Sequence, residues 1–426
     1  MMPKALSTFS SRILSVVCVL ALFGGGLWCS DRLLVNKASR EQYEQFFQSD
    51  QEFDVLFLGS SHVINGVSPL DLYREYGITS FNLSMHGNYV ASGYYILKES
   101  LEWRAKKGKQ LPKAVVLDVY GGDEIVFDLH NAWDSFPLSP TKVEMVRALV
   151  PREDQAAMLV PFILYHNRWN QLDSEDFRLY VSQKYGVQPR YEVCLPDGPV
   201  LLDAAKPEEI KEQKRVYLGR IRQLCESQGI RLILIHIPYT YHPQWQREGN
   251  AVCRYARDQG MFCVNYLEEE TGLDYEIDFY DPGHLNAAGM RILTRELGRL
   301  LTEAGLEDHR GQGDASLWEE KYEEYIQYRI RQLGEVTDAK ACLMGIQDPD
   351  LVSTVQIRRS ALTDRQTAKL IRRLEDAGHT ICLTDDPIEI AEPDGTVRDY
   401  DVYCQVYRRD SPGTLVHAAG FLFPDT

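Results

Sequence analysis

The sequence predicts an α/β fold, a doubly wound parallel sheet carrying a helical insert, followed by a small C-terminal α+β domain. Three observations lead there. Of five short runs rich in Val, Ile, Leu and Phe, all but SFNLS at 80–84 lack the polar alternation of a half-exposed strand, so both faces of their sheet must be covered. Amphipathic stretches separate these runs, as expected when crossover helices join parallel strands. Beyond residue 305 the alternation stops at a polar, glycine-rich stretch, and a region of different composition begins.

In chain order, the first element is an apolar segment at 13–28 that holds no charged residue. Lys4 and Arg12 precede it, and Arg32, Lys37 and Arg40 follow. It is shorter than the roughly 20 residues a straight span prefers. It reads as a membrane anchor within 1–30, with a signal-peptide core as the alternative. Either reading puts the bulk of the chain outside the cytoplasm, membrane-anchored through a single N-terminal span or secreted.

The α/β domain is expected over 50–305. Its strands are VLFLG at 55–59, SFNLS at 80–84, AVVLDVY at 114–120, RLILIHI at 231–237 and MFCVNY at 261–266. Helices are expected at 69–76 after the N-cap Ser68, at 89–104 after Asn88, at 207–228 and at 287–304 after Asn286. An insert at about 121–198 breaks the alternation. It carries two or three short helices and the aromatic run FILYHNRWNQL at 162–172, longer than an ordinary connection. A linker and connecting helix fill 306–338, with Trp318, Tyr322, Tyr325 and Tyr328 at helical spacing as a packing face. The small α+β domain occupies 339–426, with strand-like runs at 341–346, 353–357, 380–384, 400–407 and 415–423 and a helix at 364–377.

Composition narrows the function classes. With 46 basic and 62 acidic residues the formal net charge is −16, which disfavours nucleic acid held by bulk electrostatics. The nine cysteines show no CxxC pair and no histidine at zinc spacing, so no metal site, disulfide framework or cofactor is expected.

Two motifs carry chemistry. FLGSSH at 57–62 puts Ser61 on the turn leaving the first strand, where a serine is exposed at the sheet edge and the following backbone N–H groups face a developing oxyanion. DPGHLN at 281–286 puts Asp281 three residues before His284 across a turn that Pro282 and Gly283 force. Together these supply a nucleophile, a base and a carboxylate to orient the base, the set that acyl transfer through serine needs. His62 beside the serine is a weaker candidate for touching substrate. In the insert, Tyr165, His166, Asn167, Arg168 and Trp169 form a run able to stack on sugar rings and hydrogen-bond their hydroxyls.

GSSH after the first strand and DxxHLNxxG before the last helix resemble the SGNH (GDSL-like) hydrolase superfamily over about 53–301. The resemblance implies Ser61 as nucleophile, Asp281 and His284 as its partners, and Gly87 of SFNLSMHGN as the oxyanion glycine; Asn88, directly after it, is taken as the side-chain donor, a placement that departs from the family pattern. Two departures stand out. VYGGDE at 119–124 lacks the asparagine of the family's later block, and Ser60 and His62 replace the family's Asp and Leu. The serine-serine form is similar to the branch that includes the membrane-tethered D-alanyl-transfer protein of teichoic acid decoration. That implies an acyl donor and a cell-envelope polysaccharide or teichoic-acid-like polymer as partners, and an esterase or O-acyltransferase. The alternative is a non-catalytic surface binding or assembly protein that keeps the fold.

Overall fold

The computed structural model describes residues 4–35, 39–120, 126–172, 174–177, 185–198, 208–391 and 395–423. They divide into two compact units. One gathers Met1–Gln48, Met85–Asn88 and Glu124–Ser182; the other gathers Ser49–Ser84, Tyr89–Asp123 and Gln183–Thr426.

The larger unit is α/β with a central parallel sheet. Strands β1 (Val55–Leu58), β2 (Ser80–Asn82), β3 (Ala114–Asp118), β4 (Arg231–His236) and β5 (Cys263–Asn265) run parallel in the order β2-β1-β3-β4-β5. This is a doubly wound order, with its topological switch at β1 and β3. Val55, Phe57, Val116, Ile233 and Ile235 point into a core completed by Leu293, Leu297 and Leu301 of the helix Ala287–Glu303. Leu56, Leu58, Val115, Leu117 and Leu234 are buried on the opposite face. Burial on both faces is why these runs show no polar alternation.

Capping fixes the helix starts. Ser68 accepts the N–H of Asp71 and Asn286 accepts that of Gly289, opening Pro69–Tyr76 and Ala287–Glu303 where the sequence places them. Asn88 does not cap the next helix; Val90–Lys106 begins after Tyr89. The helix expected over 207–228 is found at Glu212–Ser227, and residue 207 lies outside the described residues. A helix at Pro243–Asp258, between β4 and β5, was not foreseen. After β5 come two short strands, β6 (Phe279–Asp281) and β7 (His284–Leu285), paired antiparallel across the DPGH turn.

The C-terminal region builds a separate sheet from β8 (Leu351–Arg358), β9 (Thr380–Thr384), β12 (Val402–Arg408) and β13 (Ser411–Phe421), in the order β13-β12-β8-β9. The strands β10 (Ile388–Ala391) and β11 (Val397–Tyr400) form a hairpin beside it. The helix Arg365–Asp376 joins the parallel pair β8 and β9. Of residues 341–346, expected as a strand, 341–345 belong to the helix Ala339–Gly345 and Ile346 is its C-cap. Asp338 accepts the Ala341 N–H and starts it, a cap that outweighs the apolar run. The helix Ala315–Gly334 buries Trp318, Tyr322 and Tyr325 and packs on Pro69–Tyr76 and on β13.

In the smaller unit the N-terminal helix runs Lys4–Leu34. Its stretch Arg12–Leu34, 23 residues of mean hydropathy 2.1, is long and apolar enough to cross a membrane or to serve as a signal sequence. The described insert residues 126–172 and 174–177 fold with this helix; 121–125, 173, 178–184 and 199–207 lie outside the described residues.

Candidate active site

β1 delivers the serine. The chain leaves Leu58 through Gly59, where a Cβ would stand 2.5 Å from Val63 Cγ2, so only glycine lets the next turn fold back this tightly. Ser60 is the N-cap of the short helix Ser61–Ile64, its hydroxyl accepting the His62 N–H, and Ser61 opens that helix half-exposed.

β6 and β7 deliver the base and its orienter. Their register pairs Asp281 with His284 across Pro282 and Gly283. His284 Nδ1 lies 2.9 and 3.0 Å from the two Asp281 carboxylate oxygens, and the Gly283 N–H donates to Asp281 Oδ1 at 2.7 Å. His284 Nε2 lies 2.7 Å from Ser61 Oγ, across 223 residues of sequence. A carboxylate can only accept, so Nδ1 carries the ring proton and Nε2 is left to accept the serine O–H. Burial raises the Asp281 carboxyl, but the hydrogen bond and charge of His284, with the Gly283 and His284 N–H groups, outweigh it and hold the carboxyl below its usual range. Tyr280 stacks on the His284 ring at 5.4 Å and 13°, and Arg190 lies over Tyr280.

His62 is not where a substrate contact would be. It is 2% exposed, its ring stacked on Tyr239 at 5.1 Å and 12°, with Tyr120 at 4.2 Å and His284 at 4.9 Å. Nδ1 lies 3.2 Å from Ser60 Oγ. Burial, then the charges of His284 and His236, drive its pKa well below the usual value, so it stays neutral beneath the base. The expected role fails on burial: the helix turn points the side chain back under the serine.

Beneath the same turn lies Asp118, at the end of β3 and 3% exposed. Its Oδ1 accepts the Ile237 N–H at 3.1 Å. Burial pushes its carboxyl up to about 7, against the pull of that N–H and of Lys214.

Sequence reasoning missed the loop after β4. Thr240 donates both its N–H and its hydroxyl to the Pro282 carbonyl, at 2.7 and 3.0 Å, tying this loop to the DPGH turn. Tyr241 reaches Tyr120 hydroxyl to hydroxyl at 3.0 Å, and Trp245 packs edge-on against both. The signal was present as YTYHPQW at 239–245, an aromatic run directly following the fourth apolar strand.

The C-terminal helix Arg365–Asp376 grips the chain leading into the DPGH turn. Arg373 forms a two-pronged ion pair with Asp278, which is 0% exposed, and Lys369 Nζ lies 2.7 and 2.8 Å from the Asp274 oxygens. Gln366 donates to the Glu276 carbonyl at 2.6 Å.

The remaining candidates lie in the smaller unit. Gly87 has φ +69, and a Cβ there would stand 2.2 Å from the Asp128 carbonyl oxygen, so the position requires glycine. Asn88 is buried, its N–H on the Met85 carbonyl. His166 Nδ1 faces the Ile163 carbonyl at 2.9 Å, and Arg168 is bound to the carbonyls of Leu34 and Val35 and to Asp176. Trp169 is 69% exposed, and Tyr165 belongs to the short helix Phe162–Tyr165. His166 and Arg168 thus spend polar atoms on the chain's own backbone, while Trp169 stays exposed.

Asp54, Glu307 and His309 cluster in the larger unit, but Lys113 Nζ sits 3.0 Å from Asp54 and 2.9 Å from Glu307. The lysine takes the place a metal cation would need.

No protein-family model matches the chain, and no curated protein does. Similar solved structures include a protein described as a lipolytic member of the G-D-S-L family from Desulfitobacterium hafniense, at 12% identity over 58% of this chain and 98% of its own, TM-score 0.32. A GDSL-like lipase from Bacteroides thetaiotaomicron shares 12% identity over 59% and 88%, TM-score 0.29. A psychrotrophic esterase from Pseudoalteromonas sp. shares 11% over 59% and 97%, TM-score 0.29. Overlap at this level carries no functional assignment, which has to rest on the side chains themselves.

Proposed function

We propose that this protein is an extracytoplasmic serine acyl-transfer enzyme, an esterase or O-acyltransferase, that modifies a cell-envelope polysaccharide or teichoic-acid-like polymer through an acyl-enzyme on Ser61. One observation carries the chemistry: Ser61 Oγ lies 2.7 Å from a histidine nitrogen whose ring is fixed from behind by Asp281.

Ser61 Oγ attacks the ester carbonyl carbon while its proton passes to His284 Nε2. The imidazolium is stabilised by Asp281, which keeps its negative charge. As the tetrahedral intermediate collapses, the carbon–oxygen bond to the leaving alcohol breaks and Nε2 returns the proton to that oxygen. Water or a sugar hydroxyl then attacks the acyl-enzyme, giving its proton to Nε2, and Ser61 is released with its proton restored. The Ser61 N–H is the assigned oxyanion donor. The N-terminal helix and the resemblance to envelope-decorating proteins support the location and the polymer.

The test is turnover of an activated aryl acetate with and without a glycan acceptor. His284→Ala should lower turnover by about two to four orders of magnitude. Acylated glycan among the products marks a transferase, and free acetate alone marks an esterase. Turnover unchanged in the variant refutes the role of His284, and absence of turnover in wild type leaves the binding-protein reading in its place.

A further inference from the structure

In the smaller unit, five large apolar side chains from one stretch lie open. Val160 is 46% exposed, Ile163 49%, Leu164 39%, Trp169 69% and Phe177 62%. They belong to or flank the turns Phe162–Tyr165, Arg168–Gln171 and Ser174–Phe177, each of four residues and too short to bury a face of its own. Exposed apolar residues scattered singly need no explanation, but five within 18 positions (160–177) do.

The same stretch is bonded to the C-terminal end of the N-terminal helix. The Phe162 N–H donates to Asp31 Oδ1 at 3.2 Å. Arg168 Nη1 donates to the carbonyls of Leu34 and Val35, at 3.1 and 3.4 Å, in the last turn of the helix, where carbonyls lack intrahelical donors. Arg168 Nη2 reaches the buried Asp176 at 3.2 Å, closing the stretch on itself. The helix end and the stretch therefore share one depth. A helix that spans through Arg12–Leu34 leaves the hydrocarbon at about residues 31–35, at the level of the lipid headgroups.

We propose that residues 160–172 and 174–177 form a membrane-interface foot, with Val160, Ile163, Leu164, Trp169 and Phe177 seated at the headgroup–acyl boundary of the bilayer that the N-terminal helix crosses. The inference rests on reading that helix as a span. Lipid is the occupant because the patch is continuous with the span's own end. Its mixture of apolar side chains with exposed Asn167, Asn170 and Gln171 suits a surface half in lipid and half in headgroups, and tryptophan is enriched at that depth. Arg168, which the sequence offers to a sugar, is instead the tie between the foot and the helix end.

The experiment uses the full chain reconstituted in phosphatidylcholine vesicles whose acyl chains carry bromine either near the headgroup or near the terminal methyl. The fluorescence lost in Trp169→Phe isolates Trp169, and that lost in Trp28→Phe isolates Trp28 of the N-terminal helix, itself 64% exposed. The proposal expects bromine near the headgroup to quench Trp169 at least about twofold more than bromine near the methyl, with Trp28 also quenched. If Trp28 is quenched and Trp169 is not, the foot is overturned while the span stands. If neither is quenched, the span fails and the foot falls with it.

Discussion

In the β6–β7 hairpin, Asp281 and His284 face each other across a two-residue turn, so the carboxylate meets the ring through local geometry alone. In the stretch 162–172, polar and aromatic neighbours sit on short turns and meet different surroundings: a carbonyl for His166, a helix end for Arg168, exposure for Trp169. The hairpin is also braced from outside, by Arg373 on Asp278 and Lys369 on Asp274. A cluster in sequence becomes a cluster of chemistry only when backbone register and neighbouring elements converge the side chains. Aromatic density by itself does not.

The comparison breaks most clearly at the serine. Ser61→Ala should cost about three orders of magnitude or more in aryl ester turnover, because the acyl group then has nowhere to rest. Asp281→Asn should cost about two to four orders, since an amide can donate where the carboxylate only accepts and so favours the wrong tautomer of His284. Turnover within tenfold of wild type, about one order, would mean that the hairpin does not orient the base.

Arg373→Ala sharpens the bracing half. It leaves Asp278 buried without its guanidinium and should cost about 3–5 kcal/mol of stability, read from the shift in the denaturant midpoint. No shift would show that the C-terminal helix merely lies alongside.

Asp118 tests the floor under the serine turn. Its folded carboxyl titrates at about 7 against 3.8 in its ordinary state, so the native protein holds the extra proton between those values. The stability it contributes is full below about pH 4 and is lost as pH rises through about 7, to a ceiling of about 4 kcal/mol. Asp118→Asn removes that dependence, so its advantage over wild type in thermal melting should grow from pH 5 to pH 8. A constant difference would contradict the buried, protonated acid. The smallest effect belongs to the other region: Trp169→Ala should leave turnover of a soluble aryl ester within about twofold, and a loss beyond tenfold would return the aromatic run to the catalytic site.

Much of this was legible in the sequence because it is coded locally. Continuous apolar runs mark four of the five parallel strands, Ser68 and Asn286 mark helix starts, and the DxxH spacing brings carboxylate and ring together. What escaped depends on packing. Nothing in His62 itself says that the helix turn carries it beneath the serine. Asp118 is an unremarkable strand-end residue until Gly59 presses the turn down on it. The helix Ala339–Gly345 resembles a strand in sequence because an apolar run of six residues has no period of its own, and only the Asp338 cap distinguishes it. The ion pairs from Arg373 and Lys369 join residues 95 apart, beyond any local pattern.

The central claim is that Ser61 is a nucleophile activated by His284. Treatment of wild type with a fluorophosphonate, followed by peptide mass analysis, measures it directly. The account predicts one covalent adduct per chain, located on Ser61 and absent from Ser61→Ala and, at matched exposure, from His284→Ala. Equal labelling of wild type and Ser61→Ala, or an adduct mapped to another residue, would contradict it.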